Sequence, residues 1–157
     1  MKKLIFALSI LMLSLSSSHV VTAQKKGGGS SVQRTALLES STGLMAYSIY
    51  NNNNLLMESF NGRLMKKEEA LKQAVNLENT LDFVIGQVDR VLNADVSDIK
   101  NDEVRYYKDL KKALVVLQKQ AISLKGHING ESDAKSKFDT FKELAWKQVT
   151  NVMSKQS

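Results

Sequence analysis

The 157-residue chain contains no cysteine and no proline, only two histidines, and few aromatic residues. Without cysteine there can be no disulfide, no thiolate metal site, no c-type haem attachment and no lipid-modified cysteine. A domain built this way is stabilised by apolar burial alone. Without proline, nothing removes a helical N–H from inside a long helix, and breaks are expected only where glycine and asparagine cluster.

The shortage of histidine bears on chemistry. His19 lies in the N-terminal leader described below, which leaves His127 as the only imidazole of the remaining chain. Its neighbours Gly126 and Asn129-Gly130 predict an exposed turn, a poor place for an axial haem ligand. Di-iron bundles need Glu-x-x-His pairs on two helices, and none is present. No Gly-x-Ser-x-Gly elbow appears, and the triple glycine at Gly27-Gly28-Gly29 lacks the following Lys-Ser/Thr of a phosphate loop. The expectation is a protein that is not an enzyme, with no cofactor and no metal.

Long apolar runs are also scarce. The longest, Leu4 to Leu15, spans 12 residues, whereas crossing a bilayer as a helix takes about 20. It follows Lys2-Lys3 and precedes Ser16-Ser17-Ser18 and Val21-Thr22-Ala23, which is the layout of a secretory signal peptide. Small residues at Val21 and Ala23 predict cleavage between Ala23 and Gln24. The predicted organisation is a signal peptide over 1–23, a flexible Gly/Ser linker over 24–31 and a single domain over 32–157. The mature protein is then expected in the periplasm or outside the cell, without stable membrane insertion.

The formal charge is +6 for the whole chain and +4 without Lys2 and Lys3. The positive residues are scattered with no block of five, which argues against nucleic acid as a partner.

From Val32 onward apolar residues recur at three and four and never alternate over four or more positions, so the fold class is all-α. The spacing predicts four helices, over about 31–60, 66–93, 98–125 and 132–153. Asn61-Gly62 should close the first, Gly126 and Asn129-Gly130 the third, and Ser132 should cap the fourth. Asn51-Asn52-Asn53-Asn54 are weak helix formers inside the first, but an apolar stripe carries through them and predicts a continuous helix. Short connections between helices of similar length imply an antiparallel, up-down-up-down four-helix bundle.

Two sets of residues stand out. On the first helix Arg34, Ser41, Ser48, Asn52 and Ser59 fall in one narrow sector flanked by Leu37, Leu38, Leu44, Met45, Ile49, Leu55 and Leu56. Glu78 lies inside the apolar sector of the second helix, where an unpartnered carboxylate would cost several kcal/mol, so it should pair with Arg34, a serine or Asn52, or reach solvent. Together these residues form a candidate polar seam between helices 1 and 2 able to bind a small molecule. The second set, Tyr47, Tyr50 and Trp146, lies off the centres of the apolar stripes and suits a protein-partner surface. Leu114-Val115-Val116-Leu117 wraps most of the third helix, which is therefore either central or the contact of a homodimer. The functional expectation is an exported helical protein acting through protein contact as a structural, adaptor, chaperone-like or secretion-apparatus component. Small-molecule binding in the polar seam is the alternative.

Overall fold

The computed structural model describes residues 31–93 and 101–154, with side chains from Ser40 onward. The predicted signal peptide, nearly all of the predicted linker, residues 94–100 between the second and third helices, and the side chains of Arg34, Leu37 and Leu38 lie outside the described residues. The rest is all-helical: α1 (Ser31–Asn61), α2 (Lys67–Asn93), α3 (Asn101–Asn129) and α4 (Ala134–Ser154), with no strand among the described residues. No helix among them is long and apolar enough to cross a membrane.

Helix α3 is the centre of the packing. Leu110, Ala113, Leu114, Leu117, Ala121 and Leu124 are all fully buried, each leucine contributing roughly 1.5–3 kcal/mol of burial. Three helices lie against it. Helix α2 offers Ala70, Ala74, Leu77, Leu81 and Val88, and α4 offers Ala134, Phe138, Ala145, Val149 and Val152, positions that the helical period picks out. Val115 and Val116 are half-buried on this central helix, and Val116 packs against the core.

Side-chain pairs fix relative directions. Thr42 meets Tyr106, Asn53 meets Gln120, and Asn61 meets His127, at sequence separations of 64, 67 and 66. Such near-constant separation requires α1 and α3 to run the same way. Between α2 and α3 the pairs Glu78–Lys125, Asp82–Gln118 and Asp89–Lys111 step in opposite senses along the two helices, which is antiparallel packing.

Helix α1 is continuous through Asn51-Asn54. Asparagine is less favourable than alanine in a helix by roughly 0.5–0.7 kcal/mol, and here tertiary hydrogen bonds offset the deficit. The buried face of α1 nevertheless differs from the predicted one. Gly43, Ala46, Ile49, Asn53, Leu56 and Met57 are buried, whereas Leu44 and Leu55 are 56% and 41% exposed. The helix is rotated so that its smallest residues, Gly43 and Ala46, face inward.

The helix ends also correct the sequence reading. At the end of α1, Leu64 N–H bonds Ser59 C=O (2.9 Å) and Arg63 N–H bonds Phe60 C=O (3.0 Å), a Schellman closure whose left-handed residue is Arg63, φ 54°, rather than Asn61 or Gly62. Helix α3 ends in the same way, with Glu131 N–H on Gly126 C=O and Gly130 N–H on His127 C=O, and Gly130 at φ 91°. Gly126 therefore does not terminate α3. It is buried inside the last turns, where an added Cβ would stand 2.6 Å from Glu131 Oε2 and 3.2 Å from the Ala134 Cβ. Helix α4 opens one residue later than predicted: Asp133, not Ser132, accepts the first helical bond, from Lys137 N–H. The Lys137 ammonium, 2.6 Å away, also holds the Asp133 carboxyl below the usual carboxylate range.

Candidate functional site

Rotation of α1 decides where the predicted seam falls. Ser41 and Ser48 are exposed and Asn52 and Ser59 half-buried. Glu78 forms an ion pair with Lys125 of α3, its side chain 21% exposed, and so satisfies its charge away from α1. The Arg34 side chain is outside the described residues. Glu78, Asp82 and Asp89 all serve the flank between α2 and α3, and the polar residue that α1 turns inward is Asn53, one position beyond the predicted row.

Asn53 is fully buried. Its Nδ2 donates to Leu117 C=O and to Gln120 Oε1, both at 3.2 Å, while Gln120 Nε2 donates to Asn54 Oδ1 at 3.0 Å. Two carboxamides on α1 thus bracket one on α3 in an otherwise apolar contact. Asn53 Oδ1 accepts no hydrogen bond from the described residues. Neither Gln120 nor the pairing was legible in the sequence, because Gln120 sits inside the α3 stripe between Leu117 and Leu124, a place where a periodicity count expects leucine. The one available signal was the asparagine run itself, which a helix retains only where the amides find partners.

His127 is likewise placed differently from the expected loop. It lies in the last turn of α3, half-buried, with Nε2 2.8 Å from Asn61 Oδ1 and its ring edge-on to Phe60 at 5.9 Å. It ties the end of α1 to the end of α3.

The three aromatic residues singled out from the sequence come together. The Trp146 ring on α4 lies 5.4 Å from Tyr50 and 6.3 Å from Tyr47 on α1, tilted at 39° and 52°. These separations fall in the range of offset aromatic contacts, each contributing about 0.5–1.5 kcal/mol beyond area burial. Tyr47 and Tyr50 are half-buried against the core, and Trp146 is 47% exposed. Leu44 stands one turn before Tyr47 and continues the apolar surface outward. Around it α1 carries no charged residue between Glu39 and Glu58. A partner could therefore cover this surface without burying an α1 charge, while the tyrosine hydroxyls and the indole N–H remain able to orient it.

Among the described residues no group of three or more His, Cys, Asp or Glu side chains is arranged to hold a metal ion. No family model, no curated protein and no solved structure matches the chain.

Proposed function

We propose that this is an exported, up-down-up-down helical bundle that acts by binding another protein at the α1–α4 edge, with Trp146, Tyr47, Tyr50 and Leu44 as the contact. The observation that carries this reading is the convergence of three aromatic rings from two helices at a partly exposed edge beside an uncharged stretch of α1. Rigid aromatic side chains of this kind supply large contact area at little entropic loss and dominate binding energy when covered. Export rests on the Lys2-Lys3 start, the short apolar run and the Val21-Thr22-Ala23 ending, and the alternating topology rests on the pair directions across α3. No chemistry beyond contact is assigned to the protein.

A photo-crosslinking amino acid placed at Leu44 in cells making the protein tests this function. The expected result is one discrete adduct that disappears in Tyr47→Ala and Trp146→Ala, while both variants melt within a few degrees of the parent protein. An adduct that persists in both variants, or no discrete adduct, would count against a partner at this edge. Intact mass of the protein recovered outside the cytoplasm should begin at Gln24, and a retained leader in the membrane fraction would refute export in this form.

A further inference from the structure

The outward face of α2 carries a pattern that none of the ion pairs, hydrogen bonds or ring contacts among the described residues uses. Positions 68, 72, 75, 79, 83, 86 and 90 lie in one sector of the helix, and their spacings of four, three, four, four, three and four residues read the same from either end. Asn79 is the midpoint. Phe83 is 66% exposed and Val75 40% exposed. None of the ion pairs among the described residues engages Glu68, Lys72 or Arg90. Gly86 stands in the interior of α2 with no heavy atom within 4 Å of where a Cβ would be. Nothing among the described residues fills that gap, although glycine is the least favourable helix residue after proline.

We propose that this face binds a second copy of the chain through an antiparallel α2–α2′ contact with its two-fold axis at Asn79. A two-fold axis there sets each position against its mirror in the partner. Glu68 then opposes Arg90 of the second copy, and Arg90 opposes its Glu68. Val75 opposes the large ring of Phe83. The long aliphatic stem of Lys72 lies over the gap at Gly86, and Asn79 meets Asn79, amide to amide. Every level is complementary, in charge at the ends, in volume inside them and in hydrogen bonding at the centre. Parallel pairing of the same face would instead set Glu68 on Glu68, Lys72 on Lys72 and Arg90 on Arg90, which is repulsive at three levels. Antiparallel self-association is the arrangement that the charges select.

The contact spans about 33 Å of helix and buries on the order of 1,000 Å² in total, the low end for specific interfaces. A reversible dimer with a dissociation constant in the micromolar range is therefore expected. This assignment is independent of the α1–α4 edge, since it uses a different helix and no shared residue.

Sedimentation equilibrium of the purified protein tests the proposal. The parent should pass from monomer to dimer with rising concentration. Phe83→Glu should raise the dissociation constant by at least about tenfold, as should the charge reversal Arg90→Glu, all with unchanged helical circular dichroism. Combining Arg90→Glu with Glu68→Arg should restore dimerisation, because in the antiparallel arrangement each reversed residue meets its reversed counterpart. The chain has no cysteine, so Asn79→Cys introduces a single thiol on the axis. Mild oxidation should then give a covalent dimer, whereas Asn151→Cys on α4 should not. A protein that stays monomeric to millimolar concentration overturns the proposal, as does a dimer insensitive to Phe83→Glu or one that the double reversal fails to restore. A monomer whose Asn79→Cys thiol is shielded from labelling would place another segment of the same chain on this face and would also overturn it.

Discussion

Helices α1 and α2 are of similar length, 31 and 27 residues, and both lie on α3, yet their sequences inform very differently. Helix α2 carries eight charged residues, and α1 carries Arg34, Glu39 and Glu58 alone. In α2 the desolvation penalty for charge leaves one orientation, with Ala74, Leu77, Leu81 and Val88 inward. In α1 leucines lie on both sides of the polar row, so no orientation is excluded on solvation grounds. The contact with α3 chooses, and it chooses the face with the buried Gly43 and Ala46 and with Asn53, which finds Gln120. Charge, more than hydrophobicity, tells a reader which side of a helix is outside.

The sharpest way to break this comparison is to truncate one leucine on each helix. Leu81→Ala on α2 should destabilise by about 2–5 kcal/mol, whereas Leu44→Ala on α1 should change stability by less than about 0.5 kcal/mol. Chemical denaturation of the two variants checks the contrast, and a large loss at Leu44 would mean that α1 is rotated toward the predicted stripe.

A second test addresses the amide contact. Gln120→Leu should destabilise by about 1–3 kcal/mol because it leaves Asn53 Nδ2 with Leu117 C=O alone and takes from Asn54 Oδ1 the donor it receives from Gln120. Adding Asn53→Leu should recover most of that loss, since replacing both partners of a buried polar pair is often neutral or stabilising. A double-mutant cycle in urea gives the coupling directly, and additivity of the two losses would show that the carboxamides do not interact.

The smallest expected effect concerns the two matched helix ends. Arg63 occupies the left-handed position that Gly130 fills at the end of α3. Arg63→Gly should stabilise by up to about 1 kcal/mol, and Gly130→Ala should destabilise by about 1 kcal/mol, measured as opposite shifts in melting temperature. Shifts of the same sign would show that factors other than backbone conformation govern these turns.

These contrasts also explain what was legible in the sequence. Helix count, the approximate boundaries of the helices and most of the buried positions of α2, α3 and α4 follow from a 3.6-residue period, although on α3 the period favours Tyr107 where Tyr106 is the buried tyrosine. The grouping of Tyr47, Tyr50 and Trp146 was half legible: each residue lies off an apolar stripe, but that they meet depends on how α4 sits against α1. Glu78 pairs with Lys125, a partner that the sequence reading did not name. Long side chains such as Lys125 reach across from a neighbouring helix and satisfy a carboxylate that helical projection alone places in the core. Position 63 was missed because arginine carries no turn signal, and the Gly62 beside it drew the assignment.

The carboxamide pair on α1 and α3 has a consequence for sliding. Without it, shifting α1 by one helical turn along α3 would exchange Ile49, Asn53 and Met57 among similar pockets, and dispersion forces discriminate poorly between apolar side chains of comparable bulk. With it, such a shift would press Ile49 or Met57 against Gln120 and leave the amides of both helices stranded in hydrocarbon. Gln120 acts as a detent that holds α1 at one rung, and the Tyr50–Trp146 edge inherits its alignment from that rung.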